Sequence, residues 1–115
     1  MRVLISIEPR SYREAIGESL RSLRPHLKVA VVEPEDLWGE IVRFKPALVV
    51  ADQPDTLPTA GRRDWVEFRP YEKPPVRICL GGRLRELMEV DLPDLLSVVD
   101  EAEELAQRST DALNH

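Results

Sequence analysis

The stretch PALVVADQP, residues 46–54, decides the fold of this chain. An apolar run from Ala47 to Ala51 ends in a single carboxylate, Asp52, and the chain then turns. A short run that is apolar at every position is typical of a strand buried on both faces, as in a parallel sheet covered by helices. The pattern therefore predicts that Asp52 follows an interior strand, at the edge of the sheet where such proteins bind ligands.

The preceding residues alternate between apolar strands and amphipathic helices. The predicted strands are 3–7 and 27–32, and the predicted helices lie at 11–24 and 34–45. Ser11 and Glu14 have the spacing of a capping box, and Pro34 suits the first turn of the second helix. Strands that alternate with helices favour an α/β fold with parallel strands and a helix layer on each face.

The second half of the chain has a looser pattern. Residues 53–63 read as a loop, because they contain two prolines and no apolar periodicity. Strands are predicted at 65–71, 76–80 and 84–90, and a final helix begins near Asp91. Gly81 and Gly82 are a tight-turn signal, so the last strand is expected to run antiparallel to its predecessor if they close a hairpin.

Length and composition predict one domain, residues 1–108, followed by a frayed tail at 109–115. The chain has 115 residues, 43% of them hydrophobic, and a net charge of -5. No run is long enough to span a bilayer and no secretion signal is recognisable, so we expect a cytoplasmic protein without membrane contact. The single cysteine, Cys79, excludes an intrachain disulfide framework and is expected to be a buried structural thiol.

Four segments together resemble the receiver domain of bacterial two-component response regulators: SIEPRSYREAI, PALVVAD, PPVRICLGG and LMEVDLPDLLSVV. The resemblance implies a flavodoxin-like, three-layer sandwich of about five mainly parallel strands. In this sequence the family's third and fourth helices are expected to be reduced or replaced by loop or strand. An antiparallel hairpin is an alternative for the last strand. The resemblance places the family's phosphoacceptor at Asp52 and its acidic pair at Ile7 and Glu8.

Other positions depart from the family. The switch hydroxyl falls at Leu80 or Gly81, and the lysine falls near Glu89. These departures imply a non-catalytic signalling and protein-interaction domain that is not an enzyme, has no cofactor and has lost most of the phosphorylation site. At most, Glu8 and Asp52 would hold Mg²⁺ weakly, with Arg10 as a substitute cation.

Two alternatives stay open for the function. In the first, the chain is a working single-domain response regulator that is phosphorylated on Asp52. In the second, it is a small-molecule-binding α/β domain that uses the crevice at the carboxyl ends of the strands. A structural alternative is also open for Asp52 itself, as a solvated residue that caps the turn after its strand.

The stretch RRDWVEFRPYEKP, residues 62–74, is the candidate interaction surface. Trp65, Phe68, Arg69 and Tyr71 belong to types enriched at interface hot spots. If this strand lies at the edge of the sheet, it is a natural site for a protein partner and for homodimerisation. The alternative is that its aromatic side chains cover the core. Nucleic acid is disfavoured as a partner by the acidic net charge.

Overall fold

The computed structural model describes residues 1–52, 64–69, 76–88 and 90–113, with side chains described as far as residue 108. These residues form one six-stranded sheet with three α-helices packed on it. The elements are β1 (Arg2–Ser6), α1 (Arg10–Leu23), β2 (Lys28–Val31), α2 (Leu37–Phe44), β3 (Leu48–Ala51), β4 (Asp64–Glu67), β5 (Val76–Leu80), β6 (Arg83–Leu87) and α3 (Leu92–Leu113), with a 3-10 turn at Pro34–Asp36 before α2.

The strand order is β2-β1-β3-β4-β5-β6, and the sheet is mixed. The first four strands of this order are parallel, whereas β5 runs antiparallel to both β4 and β6. Ser6 lies opposite Ala51, and Ala51 lies opposite Glu67. The carboxyl ends of β1, β3 and β4 therefore meet side by side at one edge of the sheet, which we call the carboxyl edge.

The core has two layers, one on each face of the sheet. One layer joins α1 and α3 to the sheet, and the smaller layer joins α2 to it. All four residues of β3 are buried, and they alternate between the two layers. The sequence-based prediction of an interior strand before Asp52 is thus confirmed, as is the α/β class.

The predicted count and direction of the strands were only partly right. The segment matched to the family's fourth strand, PPVRICLGG, forms β5 and runs antiparallel, while Asp64–Glu67 takes the fourth position as a parallel strand. The predicted hairpin is confirmed, since Gly81 and Gly82 have φ of 59° and 81°. Both values lie in the left-handed region that a type I′ turn requires.

One condition set by the sequence is not met, and one local prediction was wrong. The interaction surface in 62–74 required its strand to lie at an edge of the sheet, but β4 pairs with β3 on one side and β5 on the other. The composition of a strand indicates how deeply it is buried, but it does not show which strands lie beside it. The predicted capping box also fails, because α1 begins at Arg10. The Pro9 carbonyl accepts the N–H groups of Tyr12 and Arg13 at 3.1 and 3.2 Å, and no side chain caps the helix.

The long C-terminal helix has an apolar face as predicted, with Leu95, Val98, Val99 and Ala102 buried against the sheet. Its helical backbone continues to Leu113, so it includes most of the segment 109–115 for which fraying is predicted. Within the part of the chain that the structure describes, no helix combines the length and the apolar character needed to cross a membrane.

Candidate functional site

Three carboxylates collect at the carboxyl edge of the parallel strands. Glu8 follows β1, Asp52 directly follows β3, and Glu67 is the last residue of β4. Neighbouring strands lie about 4.8 Å apart, so these three residues occupy adjacent positions along one edge. The structure thus places the two residues that the sequence singled out, Glu8 and Asp52, along one edge of the sheet, with Glu67 as a third carboxylate on that edge.

An arginine from α1 faces the first carboxylate. The Arg13 side chain is only 6% exposed, and its Nη1 lies 3.6 Å from Glu8 Oε1. The same nitrogen lies 3.5 Å from the carbonyl oxygen of Ile7, at the end of β1. Ile7 is itself fully buried in the core. The position of the family's first acidic residue is therefore an apolar core position, and a buried cation lies beside the second.

A second arginine reaches Asp52. Arg69, two residues after β4, donates from Nε to the main-chain oxygen of Asp52 at 2.9 Å. Its Nη2 also lies 3.7 Å from Oε1 of Glu67. Asp52 is half-buried. Arg69 therefore ties the end of β3 to the end of β4 and places a positive charge beside the candidate phosphoacceptor.

The third carboxylate is the most buried of the set. The Glu67 side chain is 7% exposed, and Arg77 of β5 donates to its Oε2 from both Nε, at 3.2 Å, and Nη2. Arg77 also lies over the Trp65 ring, with 5.7 Å between Cζ and the ring centroid. A buried charge of this kind needs a partner with close geometry, and the antiparallel register supplies it by placing Arg77 directly opposite Glu67.

An arginine lies beside each of the three positions at the carboxyl edge. Arg13 contacts the Glu8 carboxylate, Arg77 contacts the Glu67 carboxylate, and Arg69 contacts the main-chain oxygen of Asp52. The arrangement is charge-compensated by side chains of the domain itself. A divalent cation at this edge would have to compete with guanidinium groups that are already in place.

The position that the resemblance assigns to the switch hydroxyl does not lie at this edge. Because β5 is antiparallel, its last residue, Leu80, and the following Gly81 lie at the opposite edge of the sheet from Asp52. There the Gly81 N–H donates to Asp64 Oδ1 at 2.9 Å. The prediction that Leu80 or Gly81 stands in the switch position beside Asp52 was therefore wrong, and Glu89 lies outside the described residues.

Arg10 is not the cation of this site. Its side chain is 75% exposed, and its Nε donates to Glu14 Oε1 at 2.7 Å, one turn along α1. This contact raises the pKa of Arg10 and lowers that of Glu14, first through the hydrogen bond and then through the opposite charges. The prediction for Arg10 was wrong because Arg10 pairs with Glu14, four residues further along the same helix surface.

The predicted interaction residues are spread over the fold. Trp65 packs with the α2 layer, and Phe68 packs with the α1 and α3 layer. Arg69 contacts Asp52 and Glu67 at the carboxyl edge. Tyr71 lies outside the described residues. Trp65 and Phe68 thus contribute to opposite faces of the core. Cys79, predicted to be buried, is only half-buried and lies opposite Trp65.

Sequence reasoning missed Arg13, Glu67 and Arg77. Arg13 falls on the buried side of α1, where an apolar residue is the usual expectation. A signal existed for the other two, since opposite charges in neighbouring strands favour direct pairing. That signal becomes usable only when the strand register is known.

An acidic groove runs beside the carboxyl end of β2, where the second alternative expects a ligand crevice. It is lined by Val31, Val32, Glu33, Glu35, Asp36 and Glu40, among others. A hydrogen bond with Glu33, together with the charges of Glu33 and Asp36, raises the pKa of Glu35. Among the described residues, no group of three or more His, Cys, Asp and Glu side chains is arranged to hold a metal ion.

Comparison with known proteins gives no relative for this chain: models of protein families, curated proteins and solved structures all fail to match it.

Proposed function

We propose that this chain is a cytoplasmic, non-catalytic signalling domain that resembles a response-regulator receiver and works through protein contacts without phosphorylation. The observation that carries the proposal is the set of arginine side chains at the carboxyl edge. Arg13 and Arg69 lie at the two residues, Glu8 and Asp52, that a phosphorylated receiver would use to hold magnesium. A phosphoryl transfer to Asp52 needs that metal, because the phosphate oxygens must be neutralised during attack.

The position of the arginines also supports a structural role for the edge. Arg69 bonds the main chain after β3 and contacts the last residue of β4. Arg13 bonds the end of β1 from the helix above it. Each of the two side chains links two parts of the fold. Links of this kind favour a single conformation, whereas a phosphorylation switch requires an element with two conformations.

One observation favours the alternative of a regulator phosphorylated on Asp52. Asp52 keeps the position at the end of the third parallel strand, and Arg69 places a cation next to it. A cation at that position would stabilise charge on a phosphoryl group. The two proposals differ in their need for magnesium, which makes metal binding the measurement that separates them.

Titration calorimetry with MgCl₂ near neutral pH tests the proposal. We expect no binding by the wild-type chain at millimolar magnesium. Arg13→Gln should gain weak affinity, because it removes the positive charge that lies 3.6 Å from the Glu8 carboxylate. The matched control is Arg10→Gln, which removes an equally basic residue that pairs with Glu14 and should leave the titration flat. Millimolar binding by the wild type that disappears in Asp52→Asn would overturn the proposal.

A further inference from the structure

The two edges of the sheet are not equivalent. At the β2 edge, Arg21 of α1 donates from Nη2 to the carbonyl oxygen of Val29 at 3.0 Å, so a side chain of the domain already occupies part of that edge. At the other end, β5 is the one strand of the described ranges that pairs with β6. Among the described residues, no hydrogen bond from another element reaches the outer main chain of β6. A strand edge that the described residues leave open in this way is a template for another strand.

The hairpin register determines which groups β6 presents. The two-residue turn at Gly81 and Gly82 makes Leu80 and Arg83 its closing pair, and residues in that position exchange hydrogen bonds. Along a strand, the main-chain groups of successive residues point alternately toward and away from the neighbouring strand. The N–H and C=O groups of Leu84 and Glu86 therefore point away from β5. These two residues supply the donors and acceptors that an added strand would meet.

The side chains of β6 divide between the two faces of the sheet. Arg85 lies on the α3 face, where its Nη2 is 2.8 Å from Oε2 of Glu101. Leu84 and Glu86 lie on the other face, and alternation places Met88, just after the strand, on that face too. Leu84 is 57% exposed and Met88 is 67% exposed. Two large apolar side chains thus flank Glu86 on the open edge.

We propose that β6 is a dimerisation edge, where the strands of two copies pair antiparallel about a two-fold axis at Glu86. Such an axis leaves the corresponding faces of the two copies on the same side of the combined sheet. Residues that pair across the interface must therefore lie on the same face. Centring the pair on Arg85 would place two arginines opposite each other. Centring it on Leu84 would place Arg83 opposite Arg85 twice. Like charges in directly opposite positions destabilise a sheet.

The Glu86-centred register has better contacts than these two. It pairs Leu84 with the second copy's Met88 at two symmetric positions and covers the exposed apolar surface of both. Its cost is one Glu86 pair at the axis. Arg77 lies directly opposite Glu86 in the hairpin, on the same face, so each copy supplies a positive charge next to this pair.

The expected dimer is weak. Two five-residue strands with four apolar side chains bury well under the roughly 1,600 Å² of a standard interface, so we expect association in the micromolar range. The inference deepens the proposed function, since it names a second copy of the chain as the partner. Its tests do not involve Asp52 or magnesium, and a monomeric chain that binds no magnesium would overturn this inference alone.

Analytical ultracentrifugation of the full chain from about 5 to 500 µM tests the interface. We expect a concentration-dependent monomer–dimer equilibrium that Leu84→Lys weakens at least tenfold. The matched control is Val42→Lys, an equally drastic change at a residue that is 68% exposed on α2, away from β6. It should leave the equilibrium unchanged. A monomer throughout the concentration range, or equal weakening by both variants, overturns the inference.

Cysteine cross-linking tests the register. In a Cys79→Ser background, Glu86→Cys should form an intermolecular disulfide under mild oxidation, because hydrogen-bonded partners in an antiparallel pair have Cα atoms about 5.5 Å apart. Arg85→Cys should not, since the two copies of residue 85 are then offset along the strands. Preferential cross-linking of Arg85→Cys would overturn the Glu86-centred axis. Intact mass under non-reducing conditions distinguishes these outcomes.

Discussion

Arg77 donates two hydrogen bonds to a single oxygen of Glu67, and the two residues face each other across the β4–β5 ladder. Glu67 is nearly fully buried, and Arg77 lies closer to its carboxylate than Arg69 does. We expect Arg77→Met to lower the free energy of unfolding by about 2–3 kcal/mol, since the buried carboxylate loses its closest partner while Arg69 stays nearby and Arg77 is itself partly exposed.

Urea denaturation of a double-mutant cycle checks this dependence. Glu67→Gln added to Arg77→Met should recover part of the loss, because it removes the buried charge that has lost its closest partner. Losses that simply add would show that the two side chains stabilise the fold independently.

Core packing around the first and third strands gives a second prediction. Leu20 and Val49 are fully buried, so Leu20→Ala and Val49→Ala should each lower the free energy of unfolding by roughly 2–4 kcal/mol through cavity formation. Ser6→Ala is the contrast, because the Ser6 hydroxyl is buried without a hydrogen-bond partner among the described residues. Its loss should leave stability unchanged or slightly higher. Unchanged denaturation midpoints for Leu20→Ala and Val49→Ala would contradict the assigned core.

Two helical glycines should respond in opposite directions to alanine. A Cβ at Gly17 of α1 would come within 2.6 Å of Val31 Cγ2, whereas a Cβ at Gly39 of α2 meets nothing within 4 Å. Gly17→Ala should therefore lower the free energy of unfolding by about 1 kcal/mol or more through overpacking against β2. Gly39→Ala should raise it by up to about 1 kcal/mol through helix propensity. Thermal melts of the two variants provide the comparison, and a stabilised Gly17→Ala would show that α1 and β2 are not in close contact.

The turn between β5 and β6 gives a prediction about pH. Burial raises the pKa of Asp64, and the hydrogen bond from the Gly81 N–H opposes that shift only in part. The folded state therefore holds the proton more tightly than the unfolded state, and the free energy of unfolding falls as the pH rises through the raised pKa.

Asp64→Asn should remove this pH-dependent loss of stability. The amide oxygen of asparagine can still accept the hydrogen bond from the Gly81 N–H. We expect the variant to be more stable than the wild type by a few tenths of a kcal/mol near pH 7, a figure discounted for solvent exposure. The difference should vanish near pH 3, where the wild-type carboxyl is protonated, and urea midpoints at both pH values measure it. A variant less stable than the wild type at neutral pH would contradict the account.

The sequence predicted the first half of the fold well and the second half incompletely. The strand before Asp52 and the helices around it follow from unbroken apolar runs and 3.6-residue periodicity, which are local signals. The position of β4 inside the sheet and the antiparallel direction of β5 depend on which strands pair. The charge pairs Glu67–Arg77 and Glu8–Arg13 depend on the same long-range information, so they could be recognised only from the structure.

The intact mass of the full chain after incubation with magnesium and acetyl phosphate is the most direct test of whether Asp52 is phosphorylated. We predict no phosphoryl adduct on the wild type, because Arg13 already contacts the Glu8 carboxylate that a metal would need and Arg69 binds the main chain at Asp52. Asp52→Asn should give the same spectrum as the wild type. A labile adduct of one phosphoryl group on the wild type that is absent from Asp52→Asn would contradict the account and establish Asp52 as a phosphorylation site.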